Sequence, residues 1–437
     1  MTAPADQRIA IVGLGYVGLP LALDLVTAGY EVHAVDVSAE RIAALHSGRS
    51  YVDDVSDVRL ASALAEGRLT ATGPETPWTH ASMAFICVPT PVTPRREPDL
   101  GAVLSAGEYI RNGLTVGDVV VLVSTTYPGT TLGPLRQVLE RDGMRAGKDF
   151  GLAFSPERIS PGEGRPASSI PRLVGGIDAD STARVAAVLR EVAPSVTEMS
   201  SPDAAELAKL FENVFRNVNI ALVNELALIC ERLDLDVWEV VRGASTKPFG
   251  FMPFFPGPGV GGHCIPVDPY YLASRAREVG FHERFIEIAG DINSQMPDHV
   301  ISLVGSALNA RGKAVRGARV LVVGVAFKPG VSDDRNSPAA PIVAGLISDG
   351  AEVSYHDPLL ATFVPGDYSG AGEALYSAPL EEALDTGPDC VVIITAHENI
   401  DWDLIFARSD LIVDTRDVSS GRATRAGQVL RLGAGWS

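Results

Sequence analysis

Three residues of this chain have the types and surroundings that nucleophilic chemistry needs. Cys264 follows the run Pro256-Gly257-Pro258-Gly259-Val260-Gly261-Gly262, which forces the backbone to turn tightly and lets it approach a ligand closely. Asp268-Pro269 then reads as an N-cap followed by proline at the first helical position, with the helix running through Leu272 to about Val279. A thiol just ahead of a helix N-terminus is favoured as the thiolate, its reactive form. Lys209, Asn213 and Asn217 recur at i, i+4 and i+8, so they share one helix face. Near Cys264, Lys209 would support a thiolate and Asn213 would donate to an oxyanion. The plainer readings are a Gly/Pro turn with an incidental buried cysteine and a solvated polar stripe.

The elements that must position these groups begin near the N-terminus. Arg8 to Val12 is a short apolar strand, Gly13-Leu14-Gly15-Tyr16-Val17-Gly18 follows, and an apolar helix runs to about Ala28. A second strand, Glu31 to Val35, ends at Asp36. This is the GxGxxG dinucleotide fingerprint in its strand–turn–helix setting, with an acid about 20 residues on. Gly13 permits the turn, Gly15 lets the backbone reach a pyrophosphate, and Gly18 allows helix and strand to pack closely. The helix N-terminus faces the phosphates. Asp36 would accept from the adenosine ribose, and with no arginine directly after it this favours NAD over NADP.

Strand-like runs at Met83–Val88, Val119–Ser124 and Phe150–Phe154 alternate with helical ones, which predicts a mostly parallel, doubly wound sheet. Ligands bind at the carboxyl ends of such strands. Three turns lie there: Cys87-Val88-Pro89-Thr90-Pro91, Ser124-Thr125-Thr126 and Ser155-Pro156-Glu157-Arg158. Thr125 could hold a water or a substrate hydroxyl, and Glu157 could act as a base or position water. Ser200-Ser201-Pro202-Asp203 starts a helix that could reach Leu233, roughly 48 Å. Leu207, Leu210, Phe211, Val214, Phe215 and Val218 are expected to form its apolar side. Beyond a boundary at 312–317, strands at Arg319–Gly324, Glu352–Tyr355, Cys390–Thr395 and Leu411–Asp414, with a helix at Pro338–Ser348, repeat the alternation without a GxGxxG. Lys328, Arg335 and Arg416 near those strand ends could meet a diphosphate.

The expected architecture is therefore α/β: two Rossmann-like doubly wound parallel-sheet domains joined by a long central helix and a helical linker region. The boundaries are 1–200 for the NAD-binding domain, 201–312 for the central helix and cysteine region, and 313–437 for the second Rossmann-like domain. A net charge of −18 over 437 residues argues against nucleic acid or an anionic membrane as partner. Four widely spaced cysteines without a CxxC indicate neither a disulfide framework nor a zinc site, and no metal is expected. No stretch is apolar and long enough to span a bilayer, so a cytoplasmic protein is expected.

GLGYVGLP at 13–20, the Glu157 loop, ELAKLFENVFRNVNIALVNE at 206–225, PGPGVGGHCIPVDPYYL at 256–272 and GVAFKPGVSDDRNSP at 324–338 stand in one order. In this the chain resembles the nucleotide-sugar 6-dehydrogenases over nearly its whole length. The resemblance implies NAD in the first domain, the nucleotide diphosphate in the third, an active site between them, and a homodimer formed through the central helix. It implies a double oxidation of a sugar C6 alcohol to a carboxylate through a cysteine thiohemiacetal and thioester. Cys264 is then the nucleophile, and Lys209 and Asn213 stabilise the oxyanion. Asp268 and Thr125 are candidates to orient the hydrolytic water, with Glu157 a candidate base. The cofactor set adds Tyr16, Val17, Arg41, Pro89, Thr90, Thr125 and Arg335 to the glycines and Asp36. The substrate set takes Glu157, Arg158, Lys209, Asn213, Phe254, Gly259, Gly261, Phe327, Lys328 and Arg416. Arg158 stands where many UDP-glucose enzymes carry an apolar residue. GGHCIPVDP resembles the N-acetylhexosamine branch rather than GGSCFPKD, and STKPFGFMPF at 245–254 resembles UDP-N-acetylglucosamine enzymes. UDP-glucose, a dTDP-sugar and UDP-N-acetylmannosamine are the alternative substrates. A two-electron hydroxyacid dehydrogenase and a non-catalytic NAD-binding regulator are the alternative classes.

Overall fold

The computed structural model describes residues 7–52, 55–78, 80–91, 93, 98–141, 143–159, 167–366 and 373–437. The chain divides into two compact units, Met1–Glu212 with Val267–His282, and Asn213–Pro266 with Glu283–Ser437. The middle region expected at 201–312 is thus shared between them.

The first unit is built on eight strands: β1 (Arg8–Val12), β2 (Glu31–Val35), β3 (Leu69–Thr72), β4 (Met83–Ile86), β5 (Val119–Leu122), β6 (Gly151–Phe154), β7 (Arg172–Gly176) and β8 (Val196–Glu198). Their order is β3-β2-β1-β4-β5-β6-β7-β8. All neighbours are parallel except β6 and β7. β4, β5 and β6 are buried on both faces, as parallel strands covered by helices must be. The order reverses at β1, whose neighbours are β2 and β4. That is the switch point outside which a crevice opens, and helix α1 (Gly18–Thr27) starts there.

The central helix α2 (Pro202–Leu233) is 32 residues long, and the Ser201 hydroxyl caps it by accepting from Ala204 N at 3.2 Å. It buries polar residues along with apolar ones. Lys209, Asn213 and Asn217 are 8%, 3% and 3% exposed, so the polar stripe is buried rather than solvated. The apolar side expected from the sequence splits: Leu210 and Val214 are buried, while Leu207, Phe211 and Phe215 are exposed, Phe211 at 62%. The 3.6-residue period draws both stripes, but the neighbours of the helix decide which one turns inward.

Helix α3 (Val237–Ser245) follows, capped by Asp236, and helix α4 (Asp268–Glu278) returns to the first unit. α4 begins at Asp268 itself, with Val267 at the cap position and Pro269 at the second helical residue. The expectation of an Asp268 cap is corrected by one residue. Proline is tolerated at either position because the first N–H groups of a helix lack intrahelical partners.

In the second unit, α5 (Phe285–Ala310) and α6 (Ala339–Ser348) pack by a sheet of order β10-β9-β13-β14-β15-β16. These strands are β9 (Arg319–Val323), β10 (Glu352–His356), β13 (Cys390–Ile393), β14 (Ile412–Asp414), β15 (Val429–Arg431) and β16 (Gly435–Trp436), parallel until β16. β11 (Thr362–Phe363) and β12 (Leu375–Tyr376) form a separate antiparallel pair. Asp357, just past β10, sits where Asp36 sits past β2. Its Oδ2 accepts from Val325 N at 2.7 Å, Ala326 N at 3.1 Å and His397 Nε2 at 3.2 Å. Its Oδ1 accepts from Leu359 N and Leu360 N. His397 Nδ1 accepts from Gly330 N, which leaves the ring proton on Nε2 for Asp357.

Candidate active site

The first unit supplies a cradle and a set of polar turns. A Cβ at Gly13 (φ 95°) would lie 2.6 Å from Cys87 O, and one at Gly18 would lie 1.8 Å from Gly13 O. Only glycine fits this turn, and the space at Gly15 is open within 4 Å, as a backbone that receives a pyrophosphate requires. Asp36 is buried and already engaged. Its Oδ2 accepts from Leu14 N at 2.7 Å and from Arg41 at 3.3 Å, and its Oδ1 from Ser38 N at 2.8 Å. A carboxylate has about four acceptor positions, so capacity for a ribose hydroxyl remains on Oδ1. Arg41 lies 5.7 Å from the Tyr51 ring, and Tyr51 donates to Leu14 O at 2.8 Å, which braces the glycine turn. Tyr16 is exposed and Val17 half-buried at the start of α1. These features fit NAD.

At the strand ends, Thr90 Oγ1 donates to Thr125 O at 2.7 Å, and Tyr271 of α4 donates its hydroxyl to Thr90 O. Ser124 Oγ donates to Val88 O at 2.7 Å, so the Pro89–Thr90 and Thr125 turns are tied together. Thr126 is fully buried, and its hydroxyl has no hydrogen-bond partner among the described residues. Glu157 is buried and held by three partners. Its Oε1 accepts from Arg158 N at 2.7 Å and Ile159 N at 3.0 Å, and its Oε2 pairs with Arg172 at 2.6 Å. Both of its oxygens are thus engaged within the first unit. Arg158 turns away to Glu212 at 2.5 Å.

Two buried charged residues beside these groups were missed from the sequence. Arg172 is 2% exposed, and the signal for it was a charge opening the apolar run Arg172-Leu173-Val174. Glu206, 0% exposed, accepts from Gly129 N, Thr131 N and Thr131 Oγ1. Asp268 is buried at the start of α4.

The second unit holds the Cys264 loop. Gly257 N donates to Asn224 Oδ1 at 3.0 Å, Asn224 Nδ2 to Asn293 Oδ1 at 2.9 Å, and Asn293 Nδ2 to Asn217 Oδ1 at 2.6 Å. Asn224 of α2 therefore anchors the loop directly, and Asn293 of α5 ties it to Asn217. Further along, Gly262 N donates to Arg335 O at 3.1 Å, and Asn336 Nδ2 donates to Gly262 O at 3.0 Å. A Cβ at Gly261 would lie 2.8 Å from Phe327 Cβ, and one at Gly259 (φ 134°) 3.0 Å from Pro338 Cβ. The loop thus lies directly on the segment after β9, with Cys264 half-buried beyond it.

The three expected cations differ in their settings. Arg416 lies against the loop, 2.7 Å from where a Gly257 Cβ would be, with Nε donating to Ile394 O at 2.7 Å. Burial pulls it down to about 10, against the opposing pull of Asp414. Lys328 Nζ stands 5.8 Å over the Phe327 ring. Arg335 is exposed and forks onto Asp333 at 2.6 and 2.9 Å. Burial pushes the Asp333 carboxyl up, but the Arg335 hydrogen bonds win and hold it below the usual range. Phe254 packs edge-on to Phe215, centroids 5.8 Å apart.

A glycine cradle with its acid, a second sheet of the same construction and a cysteine loop seated on that sheet define a nucleotide-dependent oxidoreductase with two nucleotide-binding units. Residues 7–193 match the NAD binding domain of the UDP-glucose/GDP-mannose dehydrogenase family, 203–295 its central domain and 321–420 its UDP binding domain. The UDP-N-acetyl-D-glucosamine 6-dehydrogenase of Pseudomonas aeruginosa is 38% identical over 356 residues, 81% of this chain and 83% of that protein. The UDP-N-acetyl-D-mannosamine dehydrogenase of Pyrococcus horikoshii is 34% identical over 419 residues, 94% of this chain and 96% of that one. The solved structure of the Pyrococcus horikoshii UDP-D-ManNAc dehydrogenase superposes with a TM-score of 0.87 at 32% identity, covering 98% of this chain and 99% of that one. The chain belongs to the UDP-glucose/GDP-mannose dehydrogenase family. It is an NAD-dependent nucleotide-sugar dehydrogenase with a UDP-sugar substrate. No helix among the described residues is long and apolar enough to cross a membrane.

Proposed function

We propose that this enzyme oxidises C6 of UDP-N-acetylglucosamine to the carboxylate in two steps. Bound NAD supplies the hydride acceptor for each oxidation. In the first, the alcohol loses a hydride and Lys209 helps carry its proton away. The Cys264 thiolate then adds to the aldehyde, with Lys209 and Asn213 donating to the oxyanion. Loss of a second hydride leaves a thioester on Cys264. Water hydrolyses it to the acid and returns the thiolate; Thr125, Asp268 and Glu157 orient that water. Lys328 and Arg416 carry the diphosphate.

The observation that supports this reading is the seating of the Cys264 loop on the second sheet, beside Arg416 and Phe327. A nucleophile on a loop so held acts on whatever nucleotide that unit binds. The 2-acetamido assignment rests on GGHCIPVDP and STKPFGFMPF. The exposed Leu207, Phe211 and Phe215 form the face through which two copies would dimerise. A thiolate nucleophile that uses NAD belongs in the reducing cytoplasm.

The test is NADH stoichiometry against UDP-N-acetylglucosamine, UDP-N-acetylmannosamine and UDP-glucose. Two NADH per sugar and the highest kcat/KM for the first substrate are expected. Cys264→Ala should bind both ligands and form no acid. One NADH with a neutral product would overturn the double oxidation.

A further inference from the structure

Glu206 has no role in the chemistry proposed above, yet it is fully buried three residues ahead of Lys209 on α2. Its Oε2 accepts from Gly129 N at 2.7 Å, and its Oε1 from Thr131 N at 2.9 Å and Thr131 Oγ1 at 2.7 Å. Both backbone partners are obligate donors, and a carboxylate, with no proton of its own, accepts from the whole set. The segment it holds continues the Thr125 turn and runs into a π-helical turn, Thr131–Leu135, a geometry that recurs at functional sites. The other end of the segment is tied by Thr90 Oγ1 to Thr125 O.

We propose that Glu206 is a positioning residue for the oxidation. Its carboxylate straps the Gly129–Thr131 segment to α2, so that Thr125 and Lys209 keep one fixed placement. This rests on the reading that those two residues serve the reaction. Burial pushes the Glu206 carboxyl up to about 7, against the hydrogen bonds from Thr131 and Gly129 that favour its charge, and Asp203 adds to the push. The other charged or titratable groups facing the strap are Tyr127 on the segment and Arg275 and Glu278 on α4. The Arg275 guanidinium stands 3.5 Å from where a Gly129 Cβ would lie. With Glu206 still buried, the hydrogen bonds from Thr131 and Gly129 are the contacts that favour its charge, so protonation weakens them and loosens the segment.

The experiment is kcat against pH across the neutral range for wild type, Glu206→Gln, Glu206→Asp and Thr131→Val, with the melting temperature of each. Wild-type kcat should fall on the acid side. Glu206→Gln should lose about tenfold in kcat at alkaline pH and lack that acid limb, with KM for NAD unchanged. Glu206→Asp should restore the limb. Thr131→Val, which removes one donor to the carboxylate, should move the limb to higher pH. A role confined to stability would lower melting temperatures and leave every limb in place. The proposal is overturned by Glu206→Gln with wild-type kcat, or by Thr131→Val with an unmoved limb; the second decides if the first does not fold. Wild-type NADH stoichiometry, measured alongside, reports separately on the reaction, because the limb is read on whichever oxidation occurs.

Discussion

Gly261→Ala tests whether the seating of the cysteine loop sets the rate. The added Cβ would lie 2.8 Å from Phe327 Cβ, 2.9 Å from Asn336 O and 3.1 Å from Pro338 Cδ. An ordinary carbon contact starts near 3.4 Å, so the loop must retreat by about 0.6 Å (3.4 − 2.8) from Phe327. None of these neighbours can swing aside: one is a Cβ, one a backbone oxygen, one a proline ring. Gly261 is not in the left-handed region, so the substitution adds contact and no backbone strain. Overpacking of this kind costs about 1–3 kcal/mol. Cys264 lies three residues on, and a misplacement near 1 Å costs on the order of 10²-fold in rate. The expected variant is folded, with kcat down about 10²-fold and an altered rate of Cys264 alkylation by iodoacetamide. KM for NAD should hold, because the glycine cradle is in the other unit. Wild-type kcat together with a wild-type alkylation rate would refute the claim that this contact positions the thiol.

Asp36→Ala removes the acceptor for Leu14 N as well as the proposed ribose contact, and should raise the Kd for NAD at least about tenfold and narrow its advantage over NADP, read by NADH fluorescence. Arg172→Gln leaves the buried Glu157 carboxylate without its ion-pair partner and should cost about 3–5 kcal/mol in urea unfolding, partly recovered by adding Glu157→Gln. Glu206 is raised from 4.5 to about 7 on folding, so its stabilising contribution is complete below about pH 4.5 and lost as pH rises through 7. Wild type should therefore lose about 3 kcal/mol relative to Glu206→Gln between those pH values, checked by denaturant melts at each end. Wild type should sediment as a dimer and Phe211→Glu, on the exposed face of α2, as a monomer; a monomeric wild type, or a dimeric variant, would remove that face as an interface.

What the sequence made legible was local. Gly13 and Gly18 announce themselves because their neighbours in space are also near in the chain or at the end of the adjacent strand. The Cys264 loop is similarly written in its own glycines and prolines. Strand ends such as Val88, Ser124 and Thr395 were drawn one or two residues long, because apolar pattern continues past the last ladder bond. The burial of the polar stripe of α2 was not legible, since a period shows that two stripes exist and not which is covered. Arg172 and Glu206 were missed for a related reason. A buried charge is explained by its partner, and Glu206 finds its partner 75 residues away.

Asp357 gives the second sheet a property that its first-unit counterpart lacks. Five donors converge on its two oxygens, three from one side of the β9 turn and His397, two from the chain just beyond. Asp36 receives three. The duplicated scaffold has in effect supplied its own internal ligand at the place where the first copy leaves acceptor capacity on Asp36 Oδ1. Saturated in this way, the second crevice cannot compete for adenosine dinucleotides by the same contact, however similar its sheet. Two nucleotides that share a ribose and a diphosphate would then be told apart by this one acid, which has an acceptor position left past β2 and none past β10.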